Sequence, residues 1–454
     1  MTGPPNVALQ SWLWAAVAAA VFHGGSARFV RGAAHPWMVQ NATPSSNGVH
    51  AASHTLKLEN YLGVQYIAPI TLGQQSLGAV YDTGSFDIMA VATSCAVCKW
   101  RGTAYNQVHS SSFSPGPGGR ENHMYVSGRV TAKQDFEEVH LGDLASPLVA
   151  QRMPFWQVMD TDINVWTDQK ARFTAIVGLG HADRVPDQDG NPSGALSLLH
   201  RVGTDRFAIC LERGAENPGW LTFNPQMPAS LESLYRTVPV VGENHWATPL
   251  VGFEIEGWTG NLAGGKNVAI VDSGTSMMGV PSSVLYEMTD LINTIDSDCK
   301  NLEELPDLIF KIGQHSFTLP PSAYVLKVSS TISDGTTFNS CIPAFMGVDM
   351  QTPEGQVWIL GMPFLRSHYT VFDRTAKQLH IADQGQGCEP VKEEFMVFGF
   401  LNPDGLAKPT AKGKGKGRRK LLSEPTKADL SAAIRPMWAR GGGNATRNAT
   451  LQTL

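Results

Sequence analysis

What this chain does not contain rules out several hydrolytic chemistries. There is no H-E-x-x-H motif to seat a catalytic zinc and no G-x-S-x-G elbow to present a nucleophilic serine. Cys95 and Cys98 form a lone C-x-x-C pair, and neither a second such pair nor a histidine pair at ligand spacing completes a zinc set, so no metal or other cofactor is expected. Charged residues are sparse, at 17% of 454. Long helical periodicity is scarce too, which argues against a helical bundle. The one extended apolar run, Leu9 to Phe22, is short for a membrane span, so no span is expected beyond it.

In place of helical repeats there are 45 glycines and 28 prolines between short Val, Ile, Thr and Phe runs, the mark of a turn-rich β protein. Charge is unevenly spread. Residues 403–454 carry 11 Lys and Arg against 3 Asp and Glu, a balance of +8, so residues 1–402 hold −5 − 8 = −13 of the net −5. An acidic body repels phosphates, which excludes nucleic acid as its partner. Such a body suits low pH, where carboxylates lose their charge.

The apolar run is followed by Gly24, Gly25, Ser26 and Ala27 and reads as a signal peptide over residues 1–27; the absence of Lys and Arg ahead of it keeps a signal anchor open. Six cysteines behind such a segment point to disulfides and an oxidising compartment, with Cys95–Cys98 read as a structural loop disulfide. Sequons at Asn41, Asn444 and Asn448 fit secretion.

Residues 28–57 form a short pro-segment or linker with Lys57 as its sole lysine, so inhibition by a basic pro-segment is not expected. From Tyr61 onward short strands recur to about residue 398. Within them Ala79-Val80-Tyr81-Asp82-Thr83-Gly84-Ser85 is repeated as Ile270-Val271-Asp272-Ser273-Gly274-Thr275-Ser276. An apolar pair closed by glycine follows each copy, Ile176-Val177-Gly178 and Ile359-Leu360-Gly361. The spacing 272 − 82 = 190 matches one lobe plus a connector, which predicts an N-terminal lobe over 58–235 and a C-terminal lobe over 236–400. Residues 401–454 make a basic tail, read as disordered in preference to a dibasic processing site at Arg418-Arg419-Lys420 or a patch for anionic membrane or polyanions.

Peptide hydrolysis without metal or covalent intermediate needs a base to deprotonate water and an acid to protonate the departing groups. Two adjacent carboxyls sharing one proton supply both, because they cannot both ionise cheaply. A lone Asp-hydroxyl-Gly triplet is common in turns for conformational reasons. Two, each behind an apolar strand and each with its own apolar-apolar-Gly partner, point to one shared site.

On these motifs the stretch from Leu58 to about Ala382 resembles the pepsin-like aspartic peptidases. The match runs collinearly through LENYLGVQYIAPITLGQQ, VYDTGS, MYVSGRV, FTAIVGLG, GWLTF, AIVDSGTS and VWILGMPFLRSHYTVFD. The resemblance implies an all-β, bilobal fold with the active site in the cleft between related lobes. It implies a monomeric endopeptidase that hydrolyses extended polypeptides by activating water between Asp82 and Asp272, with an acidic optimum, in the secretory pathway, outside the cell or in an acidic vacuolar or lysosomal compartment. Ser85 and Thr275 match hydroxyls that bond the outer carboxylate oxygens, Gly84 and Gly274 match amides that steady the inner ones, and Thr83 and Ser273 match the pair that interlocks the two loops.

Tyr125, with Ser127 and Gly128, matches the exposed tip of a hairpin flap that closes over substrate. Val126 stands where the family usually has glycine, and Met89 where many members have a tryptophan that hydrogen-bonds the flap tyrosine, so Tyr125 needs another partner or another pose. The resemblance also implies disulfides Cys299–Cys341 and Cys95–Cys98. Cys210 and Cys388 then remain, as an interlobe bridge or as buried free thiols. A rival reading keeps the fold but makes the chain a non-catalytic peptide-binding protein; retention of both aspartates, both triplet glycines and Tyr125 argues against it.

Overall fold

The structure, a computed structural model, describes residues 53–391 apart from short breaks at 62, 101, 126, 168–171, 187–191, 215–216, 228, 259–262, 332–336 and 389. The expected signal peptide, most of the expected pro-segment, the three sequons and the basic tail lie outside the described residues.

Within each half, the apolar run ahead of the triplet becomes a strand whose last four residues are all buried. Gln75–Asp82 ends on the first aspartate, and Asn267–Val271 ends one residue before the second. Strands buried on both faces read as continuous apolar runs, and each of these lies parallel to the strand that carries the apolar-apolar-Gly segment. Ala79, Val80, Tyr81 and Asp82 face Ala175, Ile176, Val177 and Gly178, while Val268 to Val271 face Val357 to Leu360. The repetition goes further. Ile88–Val91 pairs antiparallel with Ala175–Gly178 and parallel with Val149–Thr161; Met278–Val280 pairs antiparallel with Gly355–Leu360 and parallel with Phe345–Gly347. The two halves therefore use one local topology, as a duplicated sequence should.

Strand pairing also joins the halves. In one sheet the order runs Arg236–Pro239, Gln378–Gln384, His368–Asp373, Arg206–Leu211, Gly219–Phe223 and His54–Tyr61, so strands of the second half lie among strands of the first. Hydrogen bonding therefore crosses the 235/236 division drawn from sequence. The strand His54–Tyr61 begins inside the stretch assigned to the linker, because Leu56 and Leu58 alternate inward and are buried. Beneath this sheet Phe207 stacks on Phe372 with ring centroids 4.7 Å apart, and Trp246 meets both edge-on while its indole N–H donates to Leu179 O at 2.7 Å.

Three disulfides are present, Cys95–Cys98, Cys210–Cys388 and Cys299–Cys341. Cys210–Cys388 joins residues 178 apart and ties the C-terminal end of this sheet to its middle. Cross-links that close long loops restrict the unfolded chain most, so Cys210→Ser is expected to lower the unfolding free energy by about 2–5 kcal/mol, read from urea titration. An unchanged midpoint would mean that the bridge adds nothing to the sheet's stability.

Candidate active site

The strand ends deliver Asp82 and Asp272 to one point between the two halves, both 0% exposed. Each carboxylate is gripped first by its own turn. Gly84 N–H donates to Asp82 Oδ1 and Gly274 N–H donates to Asp272 Oδ1, both at 2.8 Å. The turns then cross. A Cβ built on Gly84 would lie 2.8 Å from Asp272 Cγ, and one on Gly274 would lie 2.3 Å from Asp82 Oδ1. Each triplet's glycine thus lies against the carboxyl of the other half, and only a residue with no side chain permits that approach.

Below the carboxyls the second triplet residues interlock. Thr83 Oγ1 donates to Val271 O at 2.8 Å and accepts from Ser273 N–H at 2.9 Å; Ser273 Oγ donates to Tyr81 O at 2.7 Å and accepts from Thr83 N–H at 3.1 Å. Four bonds therefore couple the two turns through hydroxyls that act as donor and acceptor at once. Further ties between the halves run nearby, with Ser276 Oγ donating to Val64 O at 2.6 Å and the buried Arg366 Nη1 donating to Gly63 O at 2.6 Å.

The two halves are not equivalent at the outer oxygens. Thr275 Oγ1 donates to Asp272 Oδ2. Ser85 Oγ, equally buried, does not reach hydrogen-bond geometry, and both it and Asp82 Oδ2 lack a partner. Asp82 is pushed well above the ordinary carboxylate range, first by burial and then by the charge of Asp272, while the nearby Ser85 hydroxyl and the Gly84 amide favour ionisation and only partly offset that rise. Burial raises Asp272 as well, opposed by the Thr275 hydroxyl and by the Gly274 amide. A buried pair of this kind holds a proton between its members, and the proton belongs to the pair.

A region running to residue 384 matches a family model described as eukaryotic aspartyl protease, starting at residue 65. The chain belongs to the eukaryotic aspartyl protease family. Among curated relatives it is 27% identical to Pepsin II-1 of Oryctolagus cuniculus over 352 residues, which cover 73% of this chain and 84% of the relative. It is 27% identical to Pepsin A of Sus scrofa, covering 72% and 83%, and 26% identical to Cathepsin E of Rattus norvegicus, covering 72% and 81%. The protein is an aspartic endopeptidase, and its fold is the two-lobed, strand-rich one of that family.

In this protease a hairpin is made by Glu121–Tyr125 and Gly128–Leu141, with Tyr125 opposite Gly128 and Ser127 in the turn. Gly128 adopts φ +145°, and a Cβ there would meet Asp162 Oδ1 at 2.4 Å, so glycine is required at the turn's exit. Tyr125 is not the exposed tip residue expected from sequence. Its side chain is 5% exposed, because alternation along the strand turns His123 and Tyr125 inward and Asn122 and Met124 outward. Its hydroxyl has no partner. Met89 is fully buried at the position where a tryptophan was missed, and its register partner on the neighbouring strand is Trp156.

Two residues near the hairpin went unnoticed in the sequence. Trp156 Nε1 donates to Asp87 Oδ1 at 3.0 Å, and both are buried. Asp87 had a legible signal, since it is the only charge in SFDIMAVA, a segment otherwise fit for a core. Among the described residues no group of three or more His, Cys, Asp or Glu is placed to hold a metal ion, and no helix is long and apolar enough to cross a membrane.

Proposed function

We propose that Asp82 and Asp272 are the catalytic pair, that Tyr125 closes over the substrate from the hairpin, and that the enzyme works best in acid. The observation that carries this reading is the crossed packing of the two turns, in which each glycine lies against the opposite carboxyl. It brings two buried carboxyls, one from each half, close enough to share a proton.

Water held between the pair loses a proton to the ionised carboxyl as its oxygen attacks the scissile carbonyl carbon. The protonated carboxyl gives its proton to the carbonyl oxygen, and a neutral gem-diol results. In the second step one diol hydroxyl returns its proton to the pair, the pair protonates the amide nitrogen, and the C–N bond breaks to give acid and amine. No charge leaves the site at any stage. The substrate is an extended polypeptide, because a cleft closed by a β-hairpin binds backbone through backbone. Three disulfides support residence in an oxidising compartment along the secretory pathway.

Turnover requires one proton on the pair, so the rate falls on the alkaline side as that proton is lost. Thr275 donates to Asp272 and stabilises its charge; removing the donor makes ionisation harder, so the last proton leaves at higher pH. Thr275→Ala is therefore expected to move the alkaline limb of kcat upward while kcat itself falls. The measurement is a pH–rate profile on an unstructured peptide pool. A wild-type optimum at neutral pH, or an alkaline limb that stays in place in the variant, would contradict the reading.

A further inference from the structure

The hydroxyl of Tyr125 is buried and unpartnered, and Tyr125 packs in the same buried cluster as Trp156. Trp156 lies beside the hairpin, and its ring meets the inward-facing His123 with centroids 4.4 Å apart at 68°. The same indole donates its N–H to Asp87. Indole has one donor and no acceptor, so Trp156 has nothing left to offer a phenol. A carboxyl has two oxygens, and Trp156 occupies only one.

The charge of Asp87 is felt at Tyr125, where it joins burial and the charge of Asp82 in pushing the phenol's ionisation up. His123 of the hairpin thus rests on an indole that clamps a carboxyl whose charge reaches the Tyr125 hydroxyl. We propose that Asp87, held by Trp156, is the positioning residue for Tyr125: as the hairpin closes, Oδ2 of Asp87 meets the phenol oxygen and sets the direction of its O–H. This deepens the role given to Tyr125 above and rests on it.

The chemistry favours the neutral acid. Burial lifts Asp87 to about 6, the Trp156 N–H opposing and Glu121 on the hairpin adding to the rise. Tyr125 on the hairpin feels its charge, and His123 lies against the Trp156 ring that holds it. In acid, one oxygen of the neutral carboxyl accepts from Trp156 and the O–H donates to Tyr125 Oη. The phenol proton is then free to point at substrate backbone. Asparagine can reproduce both bonds, accepting from the indole through its carbonyl and donating to the phenol through its amide.

The test is a double-mutant cycle between positions 87 and 125 at acidic pH, with kcat and KM measured separately. Asp87→Ala is expected to lower kcat by about tenfold, the scale of one misplaced hydrogen bond, with a smaller change in KM. Asp87→Asn should recover most of that loss. In a Tyr125→Phe background Asp87→Ala should cost less than about twofold, since the group it orients is gone. Trp156→Phe, which keeps the ring and deletes the clamp, serves if Asp87→Ala fails to fold, and should couple to Tyr125→Phe in the same way. An undiminished cost in the Tyr125→Phe background, or an Asp87→Asn enzyme as impaired as Asp87→Ala, overturns the proposal. Asp82→Asn measured alongside separates the two readings: activity retained there sinks the catalytic pair, whereas an additive cycle with Asp82→Asn inactive sinks only the role of Asp87.

Discussion

Replacing either Asp82 or Asp272 by asparagine lowers kcat by about a thousandfold or more, the scale of a lost general acid or base. Either change removes one half of a two-proton exchange that the other carboxyl cannot complete alone. Asparagine keeps the shape of the carboxyl and can still accept the Gly84 or Gly274 N–H at its Oδ1 position, so the interlocked turns should survive. Folding is checked by the thermal midpoint and turnover by cleavage of an unstructured peptide pool in acid. Wild-type turnover by Asp272→Ala would remove the basis of the mechanism. Chelators should leave the wild-type rate unchanged.

Gly274→Ala should inactivate the enzyme almost as completely without touching a carboxyl. The added Cβ would lie 2.3 Å from Asp82 Oδ1 and 2.5 Å from its Cγ, so Asp82 must move. A displacement of about 1 Å in a catalytic group costs on the order of a hundredfold in rate. The loss is expected in kcat, with the protein still folded. Gly264→Ala is the control, since a Cβ there meets nothing within 4 Å and the position does not require positive φ. Equal activity in the two variants would mean that the crossed packing of the turns does not govern catalysis.

The candidate site was readable because chemistry that needs two carboxyls leaves two copies of a short pattern, each with its strand and its apolar-apolar-Gly partner. Local sequence carries that much, since the Asp-hydroxyl-Gly turn and the strand before it are both local structures. Detail was lost where contacts depend on distant residues. Ser85 and Thr275 look equivalent on paper, yet only Thr275 meets its aspartate. Tyr125 reads as a tip residue because Ser127 and Gly128 mark a turn, but the phase of the alternation, which no turn motif sets, places it inward. The tryptophan missing at 89 has a counterpart at 156, on a strand more than sixty residues further along the chain, and parallel register alone brings the two side by side.

By itself the sequence determined the strand-rich class, the duplication, the two aspartates and the family to which they belong, because periodicity, turn chemistry and motif spacing are properties of neighbouring residues. Only the tertiary structure decided how the halves meet. The strands at 368–384 return to a sheet begun at His54, the glycine of each turn comes to lie against the opposite carboxyl, and an indole that meets the hairpin's His123 holds a carboxyl. The physical reason is that these contacts form between segments whose mutual placement is set by the buried clusters they pack into, and no local pattern encodes a distance between residues so far apart along the chain.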